Sequence, residues 1–141
     1  MDTTVFGWYM AADNQMNDYA TATSIDFGTG KTNTATMIAK WNASEYGEQN
    51  YFEEDIWGLI QEEVAEGWFV PSICEWSAFG RNLNITFDNY SDYSLDQMGY
   101  WSSSQATERY VYTVRPDNTG GVYQYTSTPD DMLFVRLSAT F

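Results

Sequence analysis

The sequence predicts an α+β domain, with helices before residue 84 and strands after Tyr100. Three observations carry this. Apolar residues recur at helical spacing in Met37-Ile38-Trp41, Ile56-Leu59-Ile60-Val64 and Trp76-Phe79-Leu83. From Arg109 onward, β-branched and aromatic runs flank the turn residues Asp117-Asn118-Thr119-Gly120-Gly121. Finally, 141 residues fit one domain, and a domain of that size buries about two-thirds of its unfolded surface without needing a disulfide or metal.

Val5 to Met10 is aromatic-rich and is expected to be a first strand. Residues 11 to 30 are polar and glycine-punctuated, predicting a loop with a short strand at Ser24 to Phe27. Asn33 or Thr34 is expected to cap a helix bearing Met37, Ile38 and Trp41. Ala43 to Gln49 breaks the pattern. Phe52 to Ala65 is the clearest helix: Glu53, Glu54 and Asp55 suit its positive N-terminal end, and Gly67 stops it. Ser72 and Glu75 form a capping box for a third helix, in which Cys74 is expected to be a small buried hydrophobe. Asn84 to Gly99 is rich in Asn, Ser and Asp and predicts a long surface loop. Arg109 to Arg115, Val122 to Ser127 and Met132 to Thr140 are expected strands, the last pairing with Val5 to Met10.

Twenty acidic and six basic residues give a formal charge of −14, and aromatic residues make up 18% of the chain. Such a charge repels phosphate backbones and anionic lipid, so nucleic-acid and membrane partners are disfavoured. The aromatic content exceeds what one core can hide, so some Tyr and Trp are expected at the surface as contact groups. Cys74 is the only cysteine and no histidine is present, which removes an intramolecular disulfide and Ser-His-Asp catalysis. Glu53, Glu54, Glu62, Glu63 and Glu66 read as a solvated helix face rather than a glycosidase pair. Oxygen ligands for calcium exist in Asp88 to Asp96 and at Asp117-Asn118, but no zinc spacing exists, and no cofactor is expected. As written, the N-terminus lacks the basic region and apolar core of a secretory signal.

Three strings occur in order: Gly67-Trp68-Phe69-Val70-Pro71-Ser72 with Glu75-Trp76, then Tyr100-Trp101-Ser102-Ser103-Ser104, then Val135-Arg136-Leu137-Ser138-Ala139-Thr140-Phe141. Together with Asp26 to Thr34, this layout resembles C-type-lectin-like domains of the Lcl-type C-terminal group and the variable proteins of diversity-generating retroelements. The resemblance implies a C-type-lectin-like fold spanning 1–141, N-terminal helices, a C-terminal antiparallel sheet, paired termini, and a non-catalytic role. The strings themselves are scaffold: Trp68 and Trp101 are expected to bridge helices and sheet, and the serine hydroxyls to close turns. The Glu-Pro-Asn and Trp-Asn-Asp signatures of calcium-dependent sugar binding are absent. So is the cysteine pair of the formylglycine-generating enzyme.

Function is then expected within Gln105 to Leu133. In the retroelement-diversified relatives, Asn-type codons are scrambled there, and such codons cannot yield Gln, Glu, Lys, Met or Trp. Only Glu108, Gln124 and Met132 depart from that rule between Ala106 and Leu133. The candidate contact residues are Arg109, Tyr110, Tyr112, Arg115, Asp117, Asn118, Tyr123, Tyr125 and Asp130, Tyr and Arg being types that recognition surfaces favour. Alternation puts Tyr110, Tyr112 and Val114 on one face and Val111, Thr113 and Arg115 on the other; which set faces solvent stays open. The expected partner is a protein or glycan on a cell or particle surface, met from a phage virion or bacterial cell surface. The other reading is a structural, oligomerising cap on a fibre or adhesin.

Overall fold

The computed structural model describes residues 5–8, 23–43, 55–85, 88–93, 95, 99–107, 110–116, 122–128 and 131–139. The elements are α1 (Gly30–Ala43), α2 (Ile56–Leu59), α3 (Gln61–Ala65), β1 (Trp68–Phe69), α4 (Ile73–Asn82), a 3-10 turn (Tyr90–Tyr93), β2 (Tyr100–Gln105), β3 (Val111–Pro116), β4 (Val122–Ser127) and β5 (Ser138–Ala139). Among the described residues this is a mixed α+β arrangement, with the antiparallel sheets β1-β5 and β2-β3-β4. The expected order, helices ahead of the main sheet, is observed. No helix among the described residues is long and apolar enough to cross a membrane.

Several elements depart from expectation for identifiable reasons. α1 begins at Gly30, so Asn33 and Thr34 lie inside it. Asn33 is a clamp, not a cap: its side chain accepts from Ser24 N at 2.8 Å and donates to Ser24 O at 2.7 Å. Gly30 is required there, because an added Cβ would meet Glu75 Oε1 and would lie 2.9 Å from Val70 O. The expected strand at Ser24 to Phe27 is instead a turn. Side chains take its backbone groups: Asp26 N donates to Ser24 Oγ at 3.1 Å, and Asp26 O accepts from Ser72 Oγ at 2.9 Å, bonds that compete with a ladder.

The single helix expected over Phe52 to Ala65 is two short helices that meet at Ile60, whose backbone (φ −96°, ψ 6°) leaves the helical region. Gly58 weakens this stretch. Residues 51–54, and with them Glu53 and Glu54, lie outside the described residues. Asp55 precedes α2 but is wholly buried, its Oδ2 accepting from Trp41 Nε1 at 2.9 Å. At Gly67 the backbone turns through φ 103° and ends the helical run as expected.

Val5 to Trp8 forms isolated bridges rather than a strand, and Tyr9 and Met10 lie outside the described residues. Phe6 exchanges two backbone bonds with Leu133, at 2.7 and 3.0 Å, so among the described residues the expected pairing of the end segments is a single bridge. Side chains anchor this segment instead. Trp8 is buried, donates to Ser102 O at 2.9 Å and meets Trp57 edge-on at 5.2 Å. The last expected strand, Met132 to Thr140, likewise shrinks to bridges at Leu133 and Phe134 and the two residues of β5.

Ser72 and Glu75 form the expected capping box, with Ser72 Oγ accepting from Glu75 N at 3.1 Å and Glu75 Oε1 accepting from Ser72 N at 2.9 Å. The same carboxylate oxygen accepts from Gly30 N at 2.8 Å, tying the start of α1 to the start of α4. Of the apolar positions expected on α4, only Trp76 is buried; Phe79 and Leu83 are exposed. Cys74 is free and half-buried.

Two apolar clusters flank β2. One gathers Trp8, Met37, Trp41, Trp57 and Trp101; the other gathers Ile73, Trp76, Ile85, Leu95, Tyr100 and Phe134. Trp101 is fully buried and bridges helices to sheet, but Trp68 is 41% exposed and does not. Between the pairs Trp101↔Thr113 and Gln105↔Val111, the residues Ser102, Ser103 and Ser104 stand opposite Tyr112 alone. This bulge would bury unsatisfied backbone were it not for the hydroxyls. Ser102 Oγ donates to Tyr112 O at 2.6 Å, and Ser104 Oγ donates to Ser24 O at 2.8 Å while accepting from Ile73 N at 3.0 Å. Ser103 N donates to Pro71 O at 2.8 Å. Three buried serines thus join β2 to α1, α4 and the Ser24 turn.

Candidate functional site

The hairpin β3-β4 leaves this seam with its register continuous from Val111↔Ser127 to Pro116↔Val122. Directly opposed residues share a face, so Val111, Thr113 and Arg115 project with Tyr125 and Ser127, and Tyr112 and Val114 project with Gln124 and Thr126. Neither of the two sets faces solvent as a whole. Val111 and Val114 are buried in the two opposite clusters, and Thr113 is 3% exposed. Exposure falls mainly on β4, where Gln124, Tyr125 and Thr126 are open to solvent opposite buried or half-buried Val114, Thr113 and Tyr112, and on Arg115 near the turn end of β3.

Of the nine candidates, Tyr110, Arg115 and Tyr125 are exposed. Arg115 and Tyr125 are brought together: the guanidinium carbon lies 3.6 Å above the ring centroid, the diagonal contact available to long side chains on neighbouring strands. Tyr112 is half-buried and packs on the cluster around Trp76 and Tyr100, so it contributes packing as well as surface. Tyr123 sits on β4 opposite Arg115 in register. Arg109, Asp117, Asn118 and Asp130, and the turn itself, lie outside the described residues. Beside the Arg115-Tyr125 pair is a depression of about 160 Å³ walled by Gly99, Thr113, Ser127 and Leu133.

A second concavity, about 360 Å³, runs between α4 and residues 136–139 and was not anticipated from the sequence. Phe27, Pro71, Trp76, Phe79, Arg136 and Leu137 line it, with Phe27 70% and Phe79 44% exposed. The signal was present in Asp26-Phe27-Gly28, where one large aromatic stands amid turn residues.

The described carboxylates do not assemble into a metal-holding group. No three His, Cys, Asp or Glu among the described residues converge. Glu62, Glu63 and Glu66 point to solvent around α3, and Glu75 is engaged by Ser72 and Gly30. No protein-family model, curated protein or solved structure matches the chain.

Proposed function

We propose that this chain is a non-catalytic ligand-binding protein of C-type-lectin-like fold whose hairpin surface recognises a protein or glycan on a cell or particle. In this reading it is a retroelement-diversified receptor-recognition module of a phage tail or bacterial surface. One observation supports it best: Tyr110, Arg115 and Tyr125 are exposed on a hairpin whose inner residues Val111, Thr113 and Val114 are buried. Exposed positions on so firmly seated a hairpin are replaceable without loss of the fold, as a diversified surface requires.

Deep sequencing of the locus in a growing population tests the proposal. Expected is variation confined to Asn-type codons of the hairpin, at Tyr110, Arg115 and Tyr125, with Ser102 to Ser104, Val111 and Val114 constant, and a template copy and reverse transcriptase gene nearby. A hairpin coding region that never varies would refute diversification. The second reading, an oligomerising cap, is favoured by a different observation, the exposed Phe27 and Phe79 beside the groove of α4. It expects Phe79→Asp to shift the mass measured by light scattering from oligomer to monomer.

A further inference from the structure

We infer that the depression beside Arg115 takes a singly charged carboxylate group; this deepens, and rests on, the reading of the hairpin as the binding surface. The chain carries six basic residues against twenty acidic ones, and Arg115 is an exposed one. Its guanidinium lies over the Tyr125 ring at 3.6 Å. A guanidinium held over a ring has N–H donors beyond that contact, and they form a planar fork matched to the two oxygens of a carboxylate. The ring also fixes the orientation of the fork in advance, which lowers the ordering cost on binding. Among the described residues no carboxylate forms an ion pair with Arg115.

The rest of the cavity fits a polar ligand. Thr113 and Ser127 bring hydroxyls that both donate and accept, Gly99 leaves room at one wall, and Leu133 supplies an apolar patch. The overall charge of −14 does not exclude an anion here. At physiological salt the screening length is about 8 Å, so contact with Arg115 outweighs distant acids. Attraction to one guanidinium grows with the ligand's charge, but the cost of stripping its water grows with the square of that charge, so a single arginine suits a carboxylate monoanion better than a phosphate dianion. The geometry therefore points to a carboxylate, whether borne by a sugar acid or by a peptide.

The test is a heteronuclear NMR titration of the full chain with glucuronate and with N-acetylglycine, presenting the same group on a sugar and on a peptide. Glucose and inorganic phosphate serve as controls, and the Arg115 Nε–H and Tyr125 amide are the reporters. Expected is a saturable shift with at least one carboxylate, weakened about tenfold or more in Arg115→Gln and unchanged in the charge control Arg81→Gln. The tighter of the two probes identifies the source. Reporters unmoved by both carboxylates, or moved equally by phosphate, overturn the inference. If glucose alone shifts Tyr110 and Tyr125, the carboxylate falls while the binding surface stands; if shifts map instead to the groove of α4, both fall.

Discussion

The serine seam of β2 and the open end of the β3-β4 hairpin lie on one sheet and draw on the same kinds of residue, hydroxyls and aromatics, yet they treat them differently. In the seam the serine hydroxyls and the indoles have internal partners. Ser102 and Ser104 reach Tyr112 O and Ser24 O, and the indoles of Trp8, Trp76 and Trp101 donate to Ser102 O, Trp101 O and Phe6 O. At the hairpin's open end, Thr126, Tyr125 and Arg115 face solvent. A hydroxyl committed inside is costly to remove, and one that faces water is not. Residue type alone does not distinguish them; partner and depth do.

The difference predicts unequal responses to substitution. Trp101→Ala should have the largest effect, about 3–5 kcal/mol by urea denaturation, because it empties a site at the junction of α1, β2 and the Phe6 segment and removes one of the two donors to Phe6 O. A loss below about 1 kcal/mol would show that the seam is not the framework. Ser104→Ala should follow, at about 1–3 kcal/mol, since Ile73 N loses its side-chain acceptor and Ser24 O loses one donor, keeping Asn33 Nδ2. Ser104→Thr, which keeps the oxygen, tests whether that loss comes from the hydrogen bonds: fully restored stability would assign it to them. Tyr112→Ala probes the boundary between the regions and should cost about 1–2 kcal/mol, because the ring is only partly buried against Trp76 and Tyr100.

What was legible follows the same division between local and distant causes. Ser72-x-x-Glu75, the stop at Gly67 and the bounds of β4 are read from neighbours in sequence, and all three are where expected. The third role of Glu75, accepting from Gly30 N across 45 residues, has no local signature. Neither has the bulge at Ser102 to Ser104, whose hydroxyl partners Ser24, Ile73 and Tyr112 are all fixed by tertiary placement. Ile60 fits a helical stripe in sequence, but the chain turns there. At the candidate site, alternation defined the two faces of β3, but both faces are covered, Val111 and Val114 from opposite sides, and exposure falls instead on β4. Register therefore had to come from the ladder.

The smallest expected effect on stability sharpens the comparison most. Arg115→Ala removes an exposed side chain and one stacking contact with Tyr125, so unfolding free energy should change by about 0.5–1 kcal/mol at most. Tyr125→Ala should behave alike, because the ring is itself 37% exposed, and the double variant should cost less than the sum of the singles, since each alone already abolishes the shared contact. A double-mutant cycle by urea denaturation measures that coupling directly. Coupling of 3 kcal/mol or more would mean that the pair is part of the framework and that the hairpin end is no more replaceable than the seam. Near-zero stability cost with loss of binding in both single variants is the pattern that separates a presented surface from the scaffold beneath it.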